Sequence, residues 1–335
     1  MKSVKLIAEI GVNHNGNISI AKKLIKNAAI AGADYAKFQI FKAGNLSTKN
    51  SKKANYQNKN IGKNVSQYEM LKKYEINKSF IKECYKFCKI NKIKFLASCF
   101  DIESLKFYST IDDYCIKIPS GEITNLNLIK YAADKFKKII ISTGMSNLSE
   151  INSAVKTILK SKNKSRQDIT ILQCTSDYPA LLSESNIRCL NLFKKKFKTN
   201  IGYSDHTLGS TASILAVSLG AKIIEKHFTI NKHMKGPDHK ASMNLNELKI
   251  FNKKIKSVES ILGDGIKRVS SNERKNINYV RKSLYAKKQI KKGEKFSEEN
   301  IIAKRPLNGI PANKFITVMG RRAKKNFKID EKIKV

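Results

Sequence analysis

From the N-terminal residues to about residue 262, short β-rich runs alternate with longer stretches whose apolar residues recur at helical spacing, and few architectures accommodate that order. The runs are VKLIAEI (4–10), DYAKFQI (34–40), KIKFLAS (92–98), YCIKI (114–118), KIIIST (138–143), DITILQC (168–174), NIGYS (200–204) and KIIEKHF (222–228). Between them ISIAKKLIKNAAIAGA, SFIKECYKFCKIN, LSEINSAVKTILK and GSTASILAVSLGA open near Ser, Thr or Asn and several close at Gly, as helices do. Eight β-then-α units over about 250 residues have the size and order of a (β/α)8 TIM barrel. A doubly wound open sheet is the main competitor, but its Gly-rich phosphate turn should follow the first run, where GVNHNG lacks the GxGxxG spacing.

The barrel is expected over residues 1–265, a polar, turn-rich linker over 266–281, and a compact β-rich module over 282–335. The polar segment from Ala43 to Asn77 is too long for an ordinary βα loop, which marks it as functional or as an excursion packed on a partner.

The formal net charge of +39 would ordinarily suggest a nucleic-acid or membrane partner. Its distribution argues against both. Only 8 of the 66 basic residues are Arg, and the Lys are spread through almost every segment, whereas nucleic-acid readers cluster Arg with aromatic platforms. No run reaches the roughly 18 apolar residues needed to span a bilayer, and VKLIAEIGV is interrupted by Glu9 before it could serve as a signal core. The expectation is a cytoplasmic protein with neither specific nucleic acid nor membrane as partner. The six cysteines form no CxxC pair and are expected to be reduced, mostly buried hydrophobes.

Barrel chemistry sits at the carboxyl ends of the strands, and nearly every run here ends in polar residues: Glu9; Lys37 and Gln39; Ser98; Lys117, Ser120 and Glu122; Ser142; Cys174, Ser176 and Tyr178; Ser204 and His206; Glu225 and His227. A single Lys among 58 is normally a solvated surface residue. Lys37 and Lys117 stand apart because each lies inside an apolar run, where an unpaired ammonium would be costly. Two such charges ringed by short hydroxyls suit a small phosphorylated carboxylate. His206 and His227 end neighbouring strands about 5 Å apart and so can reach one ion. With no Cys in the set, Mn²⁺, Co²⁺ or Fe²⁺ fits better than structural zinc.

The motifs AEIGVNHNG (8–16), AKFQ (36–39), KIPSGE (117–122), ISTGM (141–145), YSDHTLG (203–209), EKHFT (225–229), GPDHKASM (236–243) and KRPLNGI (304–310) closely resemble, in order and over essentially the whole chain, the sialic acid synthase family. The resemblance implies a TIM barrel followed by a small antifreeze-like (SAF, β-clip) domain that caps the partner's site in a domain-swapped homodimer. It implies condensation of phosphoenolpyruvate with an N-acetylated amino sugar. On that reading Lys37, Ser98, Lys117, Ser120, Ser142 and Ser204 hold phosphoenolpyruvate, and His206 and His227 hold a divalent metal, Mn²⁺ first, with Mg²⁺ or Co²⁺ as alternatives. Gln39, Glu122, Tyr178, Asp238 and Arg305 hold the sugar, Ser176 joins the substrate-binding set, and Glu9 is an acid or base.

N-acetylmannosamine, giving N-acetylneuraminate, is the first acceptor implied; 2,4-diacetamido-2,4,6-trideoxymannose, giving legionaminate, is the alternative. Two other classes stay open at this point: a basic polyanion-binding protein, and a phosphoenolpyruvate-condensing barrel acting on a sugar phosphate. The chain departs from the family pattern at ASCF (97–100), at Gln173 and Ser176 in QCTSDYP, and at Leu307 in KRPLNG.

Overall fold

The computed structural model describes residues 4–54, 57–58 and 65–335. It divides into two compact units, Met1–Gly263 and Asp264–Val335. The first is a closed barrel of eight parallel strands in sequence order: β1 (Lys5–Gly11), β2 (Tyr35–Ile40), β3 (Lys94–Cys99), β4 (Cys115–Ile118), β5 (Lys138–Ser142), β6 (Ile169–Cys174), β7 (Asn200–Asp205) and β8 (Ile223–His227), with β8 pairing back onto β1. All eight sequence runs form the strands expected of them, and the TIM barrel is the fold.

The two-residue strand period sorts side chains between two faces. Outward-facing Leu6, Ala8, Phe38, Ala97, Ile116, Ile141, Ile171 and Tyr203 join the helices in one large core. Facing inward, Ile7, Leu96, Cys115, Ile140 and Leu172 form a separate apolar plug, with Tyr35 and Ile223 packed against it. Gly202 is required at this level, because a Cβ there would lie 2.5 Å from both Ile223 O and a Leu172 methyl. Two residues further along each strand, the same inward face carries Glu9, Lys37, Ser98, Lys117, Ser142, Cys174, Ser204 and Glu225. The barrel interior therefore has an apolar layer below and a polar layer above, the latter at the carboxyl end. Register aligns this layer across strands: Glu9 pairs with Lys37 and His227, Ser98 with Lys117, and Ser204 with Glu225 and Cys174.

Among the described residues the excursion after β2 includes the short helices Ala43–Leu46 and Gln67–Tyr74. A Ser66–Glu69 capping box starts the second. Side chains pin its two ends: Glu75 accepts from Ala43 N (3.0 Å) and Asp101 from Lys42 N (2.9 Å).

The second unit is built on β9 (Ser283–Ala286) antiparallel to β10 (Ile301–Lys304), around a core of Leu284, Ala286, Ile290, Phe296, Ile301, Val318, Phe327 and Ile333. The segment 266–281, expected as a turn-rich linker, instead holds a helix, Ser271–Val280, started by a Ser270–Glu273 capping box. None of its residues is buried, so it lacks the apolar stripe by which helices are recognised. It is tied to the module by Leu307 N to Asn278 O (2.8 Å) and Arg305 Nε to Val280 O (2.8 Å). Among the described residues no helix is long and apolar enough to cross a membrane.

Candidate active site

Above the polar layer opens a cavity of about 440 Å³ lined by Glu9, Lys37, Gln39, Ser98, Lys117, Ser120, Glu122, Ser176, Tyr178, Ser204, His206, His227 and Asp238, among others. Thirteen of the fifteen residues singled out from the sequence are thus brought together from all parts of the barrel's chain. Ser142 and Arg305 are the two that are not. Ser142 shares the interior face of β5 with Ile140 but does not reach the cavity wall; it is fully buried, and its Oγ has no hydrogen-bond partner among the described residues. Arg305 belongs to the second unit, where it is exposed.

The floor is an ion-pair network. Lys37 Nζ contacts Glu9 Oε2 (3.1 Å) and Glu225 Oε2 (3.0 Å) and donates to Ser98 Oγ (3.0 Å). Lys117 Nζ donates to Glu225 Oε1 (3.1 Å), which also accepts from Ser204 Oγ (2.8 Å). All four ionisable groups are at most 5% exposed, a burial that only pairing makes tolerable. Burial opposes the charge on Glu225, but Lys117 and Lys37 outweigh it and hold the carboxyl well below its usual range. Burial likewise opposes Lys37, and Glu225 and Glu9 outweigh it, so its pKa is raised. At Glu9 burial prevails over Lys37 and raises the carboxyl; at Lys117 it prevails over Glu225 and lowers the ammonium. Of the two carboxyls Glu9 is therefore the readier to hold a proton, and of the two lysines Lys117 the readier to release one.

Beside this floor, Gly144 N donates to Ser120 Oγ (3.0 Å). A Cβ on Gly144 would lie 2.1 Å from Ser176 Oγ and 2.9 Å from Ser120 Oγ, so only glycine allows the two hydroxyls to converge there. This also sets Ser176, a departure from the family pattern, beside Ser120.

The cavity wall also carries the two histidines, their rings 5.4 Å apart, with Tyr178 stacked on His206 at 4.1 Å and edge-on to His227 at 5.2 Å. His206 Nδ1 lies 2.7 Å from Thr175 O; a carbonyl only accepts, so Nδ1 carries the proton and the Nε2 lone pair is left for a ligand. His227 Nδ1 is buried without a hydrogen-bond partner among the described residues, 3.9 Å from Asp238 Oδ2. Burial, reinforced by Glu9, pushes Asp238 up to about 7. Both imidazoles fit a divalent ion: one has its tautomer set for ligation and the other an orphaned nitrogen. Among the described residues no group of three or more His, Cys, Asp or Glu is gathered for a metal, so any ion held by this pair keeps positions open to substrate or water. Asp205, which accepts from Thr207 N and Ser213 Oγ and pairs with buried Lys226 at 3.1 Å, stiffens the turn carrying His206.

A family model described as the NeuB family matches residues 24–267, and one described as the SAF domain matches residues 281–334. The chain belongs to the NeuB family. An N,N'-diacetyllegionaminic acid synthase from Campylobacter jejuni is 50% identical over 334 residues, which is 100% of both chains. Another protein of that name from Legionella pneumophila is 39% identical over 96% of this chain and 90% of its own. The crystal structure of an N-acetylneuraminic acid (sialic acid) synthetase from Leptospira borgpetersenii in complex with citrate matches with a TM-score of 0.71 at 31% identity, covering 82% of this chain and 90% of that one. The resemblance to sialic acid synthases with a closing SAF module is met, and this NeuB-family chain is a synthase.

Two parts of the NeuB site escape a reading by motif alone. Glu225, which joins both lysines to Ser204, falls within EKHFT and among the polar strand ends but has no role assigned from sequence; its register opposite Ser204 is what makes it central. The excursion after β2 also lines the cavity, through Leu46, Met70, Leu71 and Tyr74, and carries none of the motifs. Conversely, His14 and His239 are structural. His14 accepts from Gly16 N and packs against Phe38 and Phe80, and His239 Nδ1 bonds Thr229 Oγ1 at 2.7 Å.

Proposed function

We propose that the protein condenses phosphoenolpyruvate with a 2,4-diacetamido-2,4,6-trideoxyhexose of the manno series, giving a legionaminate-type 2-keto acid and inorganic phosphate. The observation that carries the reaction class is the Lys37–Glu225–Lys117 floor beneath a histidine pair in one cavity. The acceptor rests on the relative that is 50% identical over its full length and is named for the diacetylated product. On this reading the alternative acceptor is taken first and N-acetylmannosamine second.

Lys37 and Lys117 hold the phosphate and carboxylate of phosphoenolpyruvate, with Ser98, Ser120 and Ser176 donating to its oxygens, while Ser204, its proton committed to Glu225, fixes that carboxylate beneath the anion. Glu225 keeps both ammonium groups aimed at the anion. Gln39, Glu122, Tyr178 and Asp238 orient the open-chain acceptor so that its aldehyde carbon faces C3 of the enol. C3 attacks that carbon, the aldehyde oxygen takes a proton, water adds to C2, and C–O cleavage releases phosphate. Glu9, its carboxyl raised by burial, is the acid–base group. His206 and His227 would hold a divalent cation, Mn²⁺ in first place, and when bound it supplies Lewis-acid polarisation of the aldehyde. Arg305 keeps the sugar-binding role implied by the resemblance, and a homodimer is part of the same proposal.

The test is an acceptor panel with phosphoenolpyruvate and Mn²⁺. Equimolar phosphate and 2-keto acid should form fastest with the diacetamido sugar and more slowly with N-acetylmannosamine. Faster turnover of a sugar phosphate would refute the reading.

A further inference from the structure

Apart from the barrel core and its interior plug, the first unit contains a third hydrophobic cluster, in which Phe41, Met70 and Tyr74 are buried and Leu46, Leu71 and Phe100 pack against them. All six also line the active-site cavity. Leu46, Met70, Leu71 and Tyr74 come from the excursion after β2, whose ends are pinned by Glu75 and Asp101. Its halves are tied together by Gln67 N to Ser51 O (2.9 Å). The cavity is therefore two-sided: charged and hydroxylated at the floor, apolar along a fixed wall. Phosphoenolpyruvate has no apolar end to occupy that wall. A fully hydroxylated sugar chain would lose water from its hydroxyls against it without recovering hydrogen bonds.

We propose that this wall is the specificity surface for the distal end of the acceptor and reads a deoxy methyl group together with an acylamino methyl. Gln67, which also lines the cavity, supplies an amide to match the acylamino group. The inference rests on the reaction proposed above and adds to it the residues that choose the sugar. It explains why a long, polar-looking insertion sits at this mouth: helix Gln67–Tyr74 buries only Met70 and Tyr74, and both face the substrate cavity.

The test compares kcat/KM for the diacetamido-trideoxy sugar and for N-acetylmannosamine in wild type, Met70→Ala and Leu46→Ala, with Met70→Leu as the conservative control. Phosphoenolpyruvate binding is measured separately by calorimetry. An apolar pocket discriminates for or against one substrate methyl or methylene group by about 10- to 200-fold. The ratio of the two kcat/KM values should therefore fall at least tenfold in Met70→Ala, mainly through the KM of the diacetamido sugar, and recover in Met70→Leu. Phosphoenolpyruvate affinity should stay as in wild type. Leu46 is only half-buried, so Leu46→Ala gives a readout even if Met70→Ala fails to fold. Wild-type turnover with an unmoved ratio in both Ala variants would overturn the wall's role alone. Turnover of neither sugar would overturn the proposed reaction and the wall's role together.

Discussion

Glu225 shows how one buried carboxylate organises a site. It contacts both lysines and Ser204, and its own charge survives burial only because of them. Replacing it with Gln leaves two buried ammonium groups facing a neutral amide, a loss on the order of 3–5 kcal/mol when one partner of a buried pair is removed. Glu225→Gln should therefore melt well below wild type, and saturating phosphoenolpyruvate should recover part of the difference by supplying the missing negative charge. A thermal scan with and without the ligand checks both. At the histidine pair, titration of Mn²⁺ followed by electron paramagnetic resonance should show about one tight site per chain, weakened at least tenfold in His206→Ala. Equal Mn²⁺ affinity in the two proteins would remove the metal from this position.

At the level of elements, the strands were legible because each is a short, largely apolar run bounded by turns, and period two alone carries Ile7 to Glu9, Leu96 to Ser98 and Cys115 to Lys117 along one face. The histidines and lysines were legible for the same reason. What the strand pattern cannot show is depth and distance across the barrel: that Ser142 stops short of the cavity wall, or that Glu225 meets Lys117 from four strands away. Helix Ser271–Val280 was hidden because it buries nothing, and only its capping box announces it. Gly144, in the turn after β5, offers a sharper test of local geometry. Gly144→Ala drives a methyl into Ser176 and Ser120, with an overpacking cost of about 1–3 kcal/mol. Stability should drop by that amount, and the KM for phosphoenolpyruvate should rise several-fold; a variant with wild-type values for both would mean that the two hydroxyls do not form a substrate cradle.

The whole molecule comprises a barrel that carries the cavity and a second unit that has its own core. The Met1–Gly263 unit buries its own apolar core and contains both lysines, both histidines and the wall, so it should fold alone, unfold cooperatively and still bind phosphoenolpyruvate. Light scattering on the full chain checks the proposed dimer directly, with twice the 37.8 kDa chain mass as the expected result. The central claim is that the buried Lys37–Glu225–Lys117 floor is the phosphoenolpyruvate site, and calorimetry without any sugar present tests it most directly. Wild type should bind one equivalent, and Lys117→Ala, confirmed as folded, should bind about a hundredfold more weakly, in line with the ~2–5 kcal/mol cost of deleting one partner of a buried charge contact. Unchanged affinity in the folded variant would contradict the assignment.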